Sequence, residues 1–478
     1  MQRLLFPSPR RSCSFRLRIV ISLLLIASTA IASDWPQFRG PNGNGISSDG
    51  AATPVKWSAN QSLKWKIVLP GPGSSSPIVV GNKIFVTCWS GYGVDRRAVG
   101  EQKNLQRHLI CIDRQIGKSV WDKSVPAVLP EDPYNGMFTE HGYATHTPVS
   151  DGQRVYVFFG KSGALAFDLD GKQLWQTRLG TGSGDMGWGT SSSPILWKNL
   201  VIVPAFAESE SLVGLDRETG TKVWTADGSG FAGTWGTPIL VPVDSNRTDI
   251  VVGVPNEIWG FNPETGKLRW FCEAVRTRSF CSSVATDGKL IFALGDRESG
   301  SVAVKVGGDK EITATHTAWT SQDKSRIGSP LIVDGRLYLV NDKVLTCLDP
   351  QTGKRIFRGR LSNAGEPIRD EEESRPRFGA GGPGGRGPGG FGGGRGGGGG
   401  QDYSSPVAAD GKLYYVMRNG DTHVAKLGDQ FELLATNHLG DDGEVFNASP
   451  AISNGEIFLR SSSHLYCVSP SNLTAERP

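Results

Sequence analysis

Short runs of alternating apolar and polar residues fill the chain from residue 63 to residue 470, and turn residues separate them. Alternation with a period of two predicts β-strands that bury one face. Typical runs are KIFVTC at 83–88, RLYLVN at 336–341 and KLYYVM at 412–417. The Asp-Gly and Thr-Gly pairs between runs supply the positive φ that tight hairpins need. No long stretch has the 3.6-residue period of a helix, so the pattern predicts an all-β protein.

The predicted strands recur in units, each of which opens on Ser or Thr, then Pro, then an apolar run. Five of the seven intervals between successive markers are 44–47 residues long. The markers are Pro77, Pro148, Pro194, Pro238, the equivalent Ser283, Pro330, Pro406 and Pro450. A period of about 40–45 residues made of four short strands is typical of a propeller blade. The sequence predicts a single eight-bladed β-propeller of four-stranded antiparallel blades over residues 63–470.

The two ends of this region complement each other. The last unit has three strands and no fourth, whereas LKWKIVL at 63–69 reads as a fourth strand without predecessors. We expect the N-terminal strand to pair with the C-terminal blade, because ring closure removes the exposed edges of an open sheet. Residues 33–62 are then a lead-in, and residues 471–478 are a tail.

One sequence motif recurs in most units. Examples are LDRETGTKVW at 215–224, FNPETGKLRW at 261–270 and LDPQTGKRIF at 348–357. Its Asp or Asn can bond nearby backbone and fix the turn. Its final aromatic ring buries on the order of 150–250 Å² and suits the space between successive sheets. The predicted packing residues are Trp65, Trp121, Trp175, Trp224, Trp270, Trp319 and Phe357.

The cysteines divide into two groups. Cys111, Cys347 and Cys467 share a third-strand slot that holds Gly or Ala in other units, so we expect them to be small packing residues. Cys272 and Cys281 flank a junction between blades, and a disulfide between them is one expectation for an exported protein. Pairing of Cys88 with Cys111 stays open as a second alternative.

The N-terminus predicts export. An arginine-rich start, an apolar run from Ile19 to Ile31 and a small-residue end indicate a signal peptide over residues 1–32, cut after Ala32. The apolar run is too short for a membrane span, no later run is long enough, and we expect a soluble periplasmic or extracellular protein. Removal of the peptide takes the formal charge from +4 to about −1, which gives no electrostatic signal for nucleic acid.

A Gly/Arg-rich insertion at 366–402 explains the longest interval between markers. It has too few apolar side chains to fold and is predicted to be a disordered loop between blades 6 and 7. Arg-Gly repeats also occur in RNA-binding segments, but export argues against that interpretation here.

The order of motifs within each unit resembles the pyrroloquinoline quinone-like (PQQ-like) propeller repeat. That repeat is found in quinoprotein alcohol dehydrogenases and in the BamB-type outer-membrane assembly lipoprotein. The resemblance covers about residues 63–470 and implies the propeller fold and an exported protein. Quinoprotein dehydrogenases stack their cofactor on a disulfide of adjacent cysteines and bind calcium through a carboxylate and an amide. This chain has no adjacent cysteines and no segment that matches the calcium motifs.

Loops that lead into the first strand of each unit hold the candidate binding residues, because propeller function usually lies in loops at the channel mouths. If they share one mouth, their aromatic and cationic groups suit an anionic or planar ligand. The candidates are Glu140, His141, His146, Trp188, Trp235, Arg276, Arg278 and Arg326. The alternative is that these residues form a hydrated rim and interblade packing. Glu140, His141 and His146 also carry ligand atoms suited to a metal, although no third cluster supports one.

Three functions follow from these observations. The first is a non-catalytic binding or scaffold protein that contacts a protein or an envelope component and needs no cofactor. The alternative is a PQQ-dependent quinoprotein oxidoreductase that uses PQQ with calcium. A third option is a hydrolase or lyase that uses His141 or His146 as acid or base. The missing cofactor motifs favour the binding protein.

Overall fold

The computed structural model describes residues 34–296, 299–362 and 401–470, which form eight antiparallel four-stranded sheets. Each sheet is one blade, and only blade 4 gains a fifth strand. The predicted eight-bladed β-propeller is therefore confirmed. Residues 1–32, most of the 366–402 insertion and the 471–478 tail lie outside the described residues.

The strands of the first four blades follow chain order from the centre of the propeller to its rim. Blade 1 contains Ile78–Val80, Lys83–Ser90, Gln106–Asp113 and Ser119–Pro126. Blade 2 contains Val149–Ser150, Arg154–Phe158, Ala164–Asp168 and Gln173–Thr177. Blade 3 contains Ile195–Trp197, Leu200–Ala205, Ser211–Asp216 and Lys222–Asp227. Blade 4 contains Ile239–Pro242, Thr248–Val254, Glu257–Phe261, Leu268–Glu273 and, added in parallel at the rim, Lys310–Glu311.

The other four blades repeat the arrangement. Blade 5 contains Ala285–Thr286, Leu290–Leu294, Ser301–Lys305 and Thr317–Ser321. Blade 6 contains Leu331–Val333, Arg336–Asn341, Val344–Leu348 and Arg355–Arg360. Blade 7 contains Val407–Ala409, Lys412–Val416, Asp421–Lys426 and Leu433–His438. Blade 8 contains Ala451–Ser453, Glu456–Arg460, His464–Val468 and Leu63–Val68.

Helices are short in the described residues. The α-helical turns are Phe206–Ser209 and Thr313–His316, and the 3₁₀ turns are Gln102–Asn104, Gly136–Glu140, Gly160–Ser162 and Ser229–Gly233.

Blade 8 closes the ring with strands from both ends of the described chain. Leu63–Val68 pairs antiparallel with His464–Val468, so that Trp65 lies opposite Cys467 and Val68 opposite His464. The strand at the rim of this blade therefore comes from the N-terminal side, as the sequence predicted. Ring closure through hydrogen bonds ties both ends into one core.

The repeated aromatic residue of one blade docks on the turn of the next blade. Five indole N–H groups donate to a turn carbonyl of the following blade at 2.8–3.2 Å, and the pairs are Trp65–Arg114, Trp121–Leu169, Trp175–Arg217, Trp224–Pro263 and Trp319–Pro350. The turn glycine lies under the ring. A Cβ added to Gly266, where φ is +68°, would stand 2.4 Å from the Trp224 ring, so this position requires glycine.

The small third-strand slot faces the aromatic residue of the same blade. Cys111, Cys347 and Cys467 lie opposite Trp121, Phe357 and Trp65 in the strand pairing. A Cβ on Gly260, which takes this slot in blade 4, would stand 2.1 Å from the Trp270 ring. The slot is small because the ring covers it.

The expected disulfides are absent, because Cys88, Cys111, Cys272 and Cys281 are all free. Cys272 lies on the fourth strand of blade 4 at the rim and packs in the core between blades. Cys281 precedes the first strand of blade 5 at the centre of the propeller. The nine-residue connection therefore runs from rim to centre, which separates the two thiols. In blade 1, Cys88 is opposite His108 and Cys111 is opposite Phe85.

The lead-in crosses the central channel. The Ser150 N–H donates to the Pro36 carbonyl at 2.8 Å, and the Arg39 Nη2 donates to the Pro330 carbonyl at 2.6 Å. Ser150 belongs to blade 2 and Pro330 to blade 6, which are opposite blades of an eight-membered ring. Residues 36–39 therefore span the channel, close to the ends of the first strands.

Candidate functional site

A ring of hydroxyl groups surrounds the channel where the first strands begin. In seven of the eight units, the backbone N–H of the Ser or Thr that opens the unit donates to the hydroxyl oxygen of the equivalent residue in the next blade. Seven successive bonds of 2.8–3.0 Å join Ser76, Thr147, Ser193, Thr237, Ser283, Ser329, Ser405 and Ser449. Only Ser or Thr offers a hydroxyl so close to the backbone. The Ser or Thr that opens each unit is thus the residue that links neighbouring blades at the centre.

A second ring lies two residues earlier in each unit. Side chains alternate along extended backbone, so residues two positions before the hydroxyl ring also face the channel. They are Ser74, Thr145, Ser191, Trp235, Cys281, Ile327, Tyr403 and Asn447. This ring differs at nearly every position, whereas the hydroxyl ring does not. The second ring therefore determines what the channel can recognise.

The two rings form the walls of a central cavity of about 160 Å³. Its other lining residues are Phe38 from the lead-in, Met137, His141, Trp188, Arg326 and Gln401. Because the lead-in crosses the channel, Phe38 bounds the cavity on that side. No carboxylate lines the cavity among the residues that the structure describes.

An aromatic pair and a guanidinium group stand out in this lining. Trp188 and Trp235 have ring centroids 5.1 Å apart with the planes at 39°, and Trp235 Nε1 donates to the Gly189 carbonyl at 2.9 Å. Arg326 is half-buried and makes no hydrogen bond or ion pair with any described residue. An unpaired guanidinium in the same cavity as flat apolar rings favours a planar anionic group.

Burial favours the neutral form of the histidine, the cysteine and the tyrosine of the cavity. Burial lowers the pKa of the His141 imidazole below its ordinary value, which favours the uncharged ring. Burial raises the pKa of the Cys281 thiol to about 11, although Arg326 opposes the shift. Burial also raises the pKa of the Tyr403 phenol. The lining thus presents a protonated thiol rather than a thiolate nucleophile at neutral pH.

The structure brings His141, Trp188, Trp235 and Arg326 together, but it places the other candidates elsewhere. Glu140 bonds Arg96 and Arg418 outside the central cavity. Arg276 and Arg278 are exposed and do not line the cavity, whereas Phe280 of the same loop packs in the core.

His146 directly precedes the hydroxyl-ring residue Thr147, and it therefore points away from the channel. It is buried against Phe158, with ring centroids 4.8 Å apart, and its Nε2 lies 3.3 Å from the Thr190 hydroxyl. Burial lowers the pKa of this histidine to about 3. His146 is consequently a neutral core residue rather than a channel acid or base.

The donor set of the cavity does not suit PQQ with calcium. Calcium takes six to eight oxygen ligands, with carboxylates prominent among them, and the side chains of the described lining offer only hydroxyl, phenol and amide oxygens. In the described part of the chain, one group of three potential ligands comes within 4.8 Å, and it is Asp441, Glu444 and His464. Lys66 Nζ already lies 2.8 Å from Asp441. Glu140, His141 and His146 do not assemble a metal site there.

Known proteins match both the sequence and the fold. The family model for the outer membrane protein assembly factor BamB matches residues 91–226 and 208–375, which is more than half of the chain. The chain belongs to this family. No curated protein sequence matches this BamB-family chain.

The solved structures that resemble this BamB-family protein include a BamB and two dehydrogenases. BamB from Moraxella catarrhalis has a TM-score of 0.54 and 11% identity, covering 87% of this chain and 98% of that chain. A europium-containing methanol dehydrogenase has a TM-score of 0.58 and 12% identity, covering 91% and 98%. Quinohemoprotein alcohol dehydrogenase ADHIIG from Pseudomonas putida HK5 has a TM-score of 0.53 and 11% identity, covering 93% and 82%. At such identities these similarities show the shared fold alone.

No helix in the described residues of this BamB-family protein is both long enough and apolar enough to cross a membrane.

Proposed function

We propose that this BamB-family propeller is a non-catalytic binding protein that acts in the periplasm or outside the cell. In this proposal a protein partner inserts a flat anionic group, such as an aromatic residue with a free carboxylate, into the central cavity. The observation that supports it is the unpaired Arg326 in a cavity that also contains the Trp188–Trp235 pair and no described carboxylate. Membership of a family named for an assembly factor supports a protein partner.

The chemistry of the lining favours recognition. Arginine binds a carboxylate through two parallel hydrogen bonds, and tryptophan contributes a large rigid contact area. Both residue types dominate the binding energy of protein interfaces. The hydroxyl groups below them accept or donate hydrogen bonds to polar atoms of the inserted group. Neutral His141 and protonated Cys281 add polarity without a second charge.

Isothermal titration calorimetry with N-acetyl-phenylalanine, which resembles the C-terminus of an aromatic peptide, tests this proposal. We expect binding to the wild type and at least about tenfold weaker binding to Arg326→Met, a loss of ~1.4 kcal/mol. Trp188→Ala should weaken binding as well. Arg278→Met is the matched control, because Arg278 is an exposed arginine outside the cavity, and it should bind as the wild type does.

Two outcomes would contradict the proposal. One is equal binding by wild type and Arg326→Met. The other is tight binding of PQQ with calcium, together with alcohol oxidation that reduces an added dye, which would restore the quinoprotein alternative.

A further inference from the structure

A second cavity of about 430 Å³ lies beside the central one, among the loops of blades 7, 8 and 1. We call it the side cavity. It shares Ser74, His141 and Asn447 with the central cavity, and its distinctive lining is Trp89, Tyr134, Arg96, Arg418 and Glu140. It is therefore a separate compartment that communicates with the proposed partner site.

The charged lining of the side cavity is unbalanced. Arg418 Nη2 lies 2.5 Å from Glu140 Oε2, and Arg96 Nη2 lies 3.4 Å from Glu140 Oε1. Two guanidinium groups thus share one carboxylate. The neighbouring His141 is held neutral because burial lowers its pKa. Among the described lining residues, the positive charges exceed the negative charges by one, and a further carboxylate is outside the lining: Asp402 Oδ1 accepts from the Arg418 backbone N–H at 2.8 Å.

Three polar atoms of this lining are buried without a partner. They are Arg418 Nη1 and Trp89 Nε1, which are donors, and Asn447 Oδ1, which is an acceptor. Native proteins pair nearly all buried polar groups, so unpaired ones at a cavity call for a water, an ion or a ligand. Asn447 is otherwise well fixed, since its Nδ2 donates to the Glu140 carbonyl at 2.7 Å and lies 3.4 Å from the Ser74 hydroxyl.

The Glu140 carboxylate neutralises part of the positive charge of Arg418 and Arg96. Arg418 is also held from its other side, with its guanidinium carbon 5.5 Å from the centre of the Tyr403 ring. The guanidinium is consequently oriented before any ligand arrives, which reduces the entropy cost of binding. Its second terminal nitrogen, Nη1, is buried and has no hydrogen-bond partner among the described residues.

We propose that the side cavity is a second ligand site, which takes a small carboxylate that also carries a hydrogen-bond donor. The carboxylate bonds Arg418 and Arg96 beside Glu140. The donor, a hydroxyl group, bonds Asn447 Oδ1. The Glu140 carboxylate holds both arginines in place but competes with the ligand for them, so it limits the affinity of the site. This site does not depend on the partner proposed for the central cavity.

Calorimetry at constant ionic strength with malate and succinate tests the site, because these dicarboxylates differ by one hydroxyl group. We expect the wild type to bind malate about tenfold more tightly than succinate, through the bond to Asn447. Arg418→Met should weaken malate binding at least about tenfold. Glu140→Gln should strengthen it about tenfold, since it removes the competing charge. Thermal unfolding of each variant checks that it is folded.

Arg326→Met is the control that separates the two sites, since Arg326 lines only the central cavity. It should bind malate as the wild type does while losing N-acetyl-phenylalanine. The proposal is overturned if neither the wild type nor Glu140→Gln binds malate, or if folded Arg418→Met binds it unchanged. Equal affinity for malate and succinate would overturn the assignment of Asn447 as the hydroxyl acceptor.

Discussion

Five contacts between neighbouring blades share one construction, and the contact between blades 4 and 5 differs from them. In the five, an indole N–H donates to a turn carbonyl of the next blade and the ring covers a turn glycine. Blade 5 lacks that turn, because residues 306–316 leave the blade and add Lys310–Glu311 to the rim of blade 4. Trp270 of blade 4 instead donates to Asp249 Oδ2 of its own blade at 2.8 Å.

This difference shows that the aromatic residue of one blade depends on a turn that the next blade supplies. When the next blade loses the turn, the aromatic residue must find another acceptor or lose its N–H group. Trp270 illustrates the first solution. Phe357 illustrates the second: blade 7 has no such turn, and Phe357 packs on Phe431 with ring centroids 6.0 Å apart. A phenyl ring leaves no unpaired donor in that contact.

Asp249→Ala should break the exceptional contact with the largest effect. The buried carboxylate accepts from Trp270, and it pairs with Arg247 at 2.8 Å and with Arg269. Its removal leaves these donors without their partner, and we expect the free energy of unfolding to fall by about 3–5 kcal/mol. Urea unfolding measures the loss. Asp216→Ala is the control, since the carboxylate of Asp216 accepts turn bonds from Glu218 and Thr219, and it should cost about 1 kcal/mol. An equal cost for both variants would contradict this account.

The sequence predicted the fold because the residues within each unit are enough to predict its own strands and turns. Periodic markers gave the number of blades, and the unmatched strand at Leu63–Val68 gave the closure. The five indole bonds could not be predicted, since each joins residues about 31–49 positions apart whose relation appears only when blades stack. The prediction of a Cys272–Cys281 disulfide was wrong for the same reason. The two residues are close in sequence, but Cys272 lies at the rim and Cys281 at the centre of the propeller.

Gly266→Ala should break a regular contact with an intermediate effect. Gly266 has φ +68°, and an added Cβ would stand 2.4 Å from the Trp224 ring. We expect a loss of about 3 kcal/mol, because backbone strain adds to overpacking. Gly411→Ala is the matched control, since its φ is also +68° but nothing lies within 4 Å of the added Cβ. It should cost about 1 kcal/mol, the backbone term alone. If the two losses measured by urea unfolding agree, the ring does not select the glycine.

The candidate site was only partly predictable. Of the candidates that the loops suggested, His141, Trp188, Trp235 and Arg326 line the central cavity. The loops also suggested His146, which the alternation of side chains points away from the channel. Counting two residues back from each hydroxyl-ring residue would have found Cys281, Tyr403 and Asn447 as well, because every second side chain of an extended backbone faces the same side. Phe38 carries no such signal, since it arrives from the lead-in rather than from a blade.

Trp224→Phe and Phe357→Trp should sharpen the comparison with the smallest effects. Trp224→Phe removes the 3.2 Å bond to the Pro263 carbonyl but keeps a ring over Gly266, so we expect a loss of about 1–2 kcal/mol. Phe357→Trp adds a donor in the contact with blade 7, where no turn of the repeated kind supplies an acceptor, and it should destabilise by about 1 kcal/mol rather than stabilise. Urea unfolding measures both. Stabilisation by Phe357→Trp would mean that any large ring suffices there, and that the phenylalanine does not reflect the missing turn.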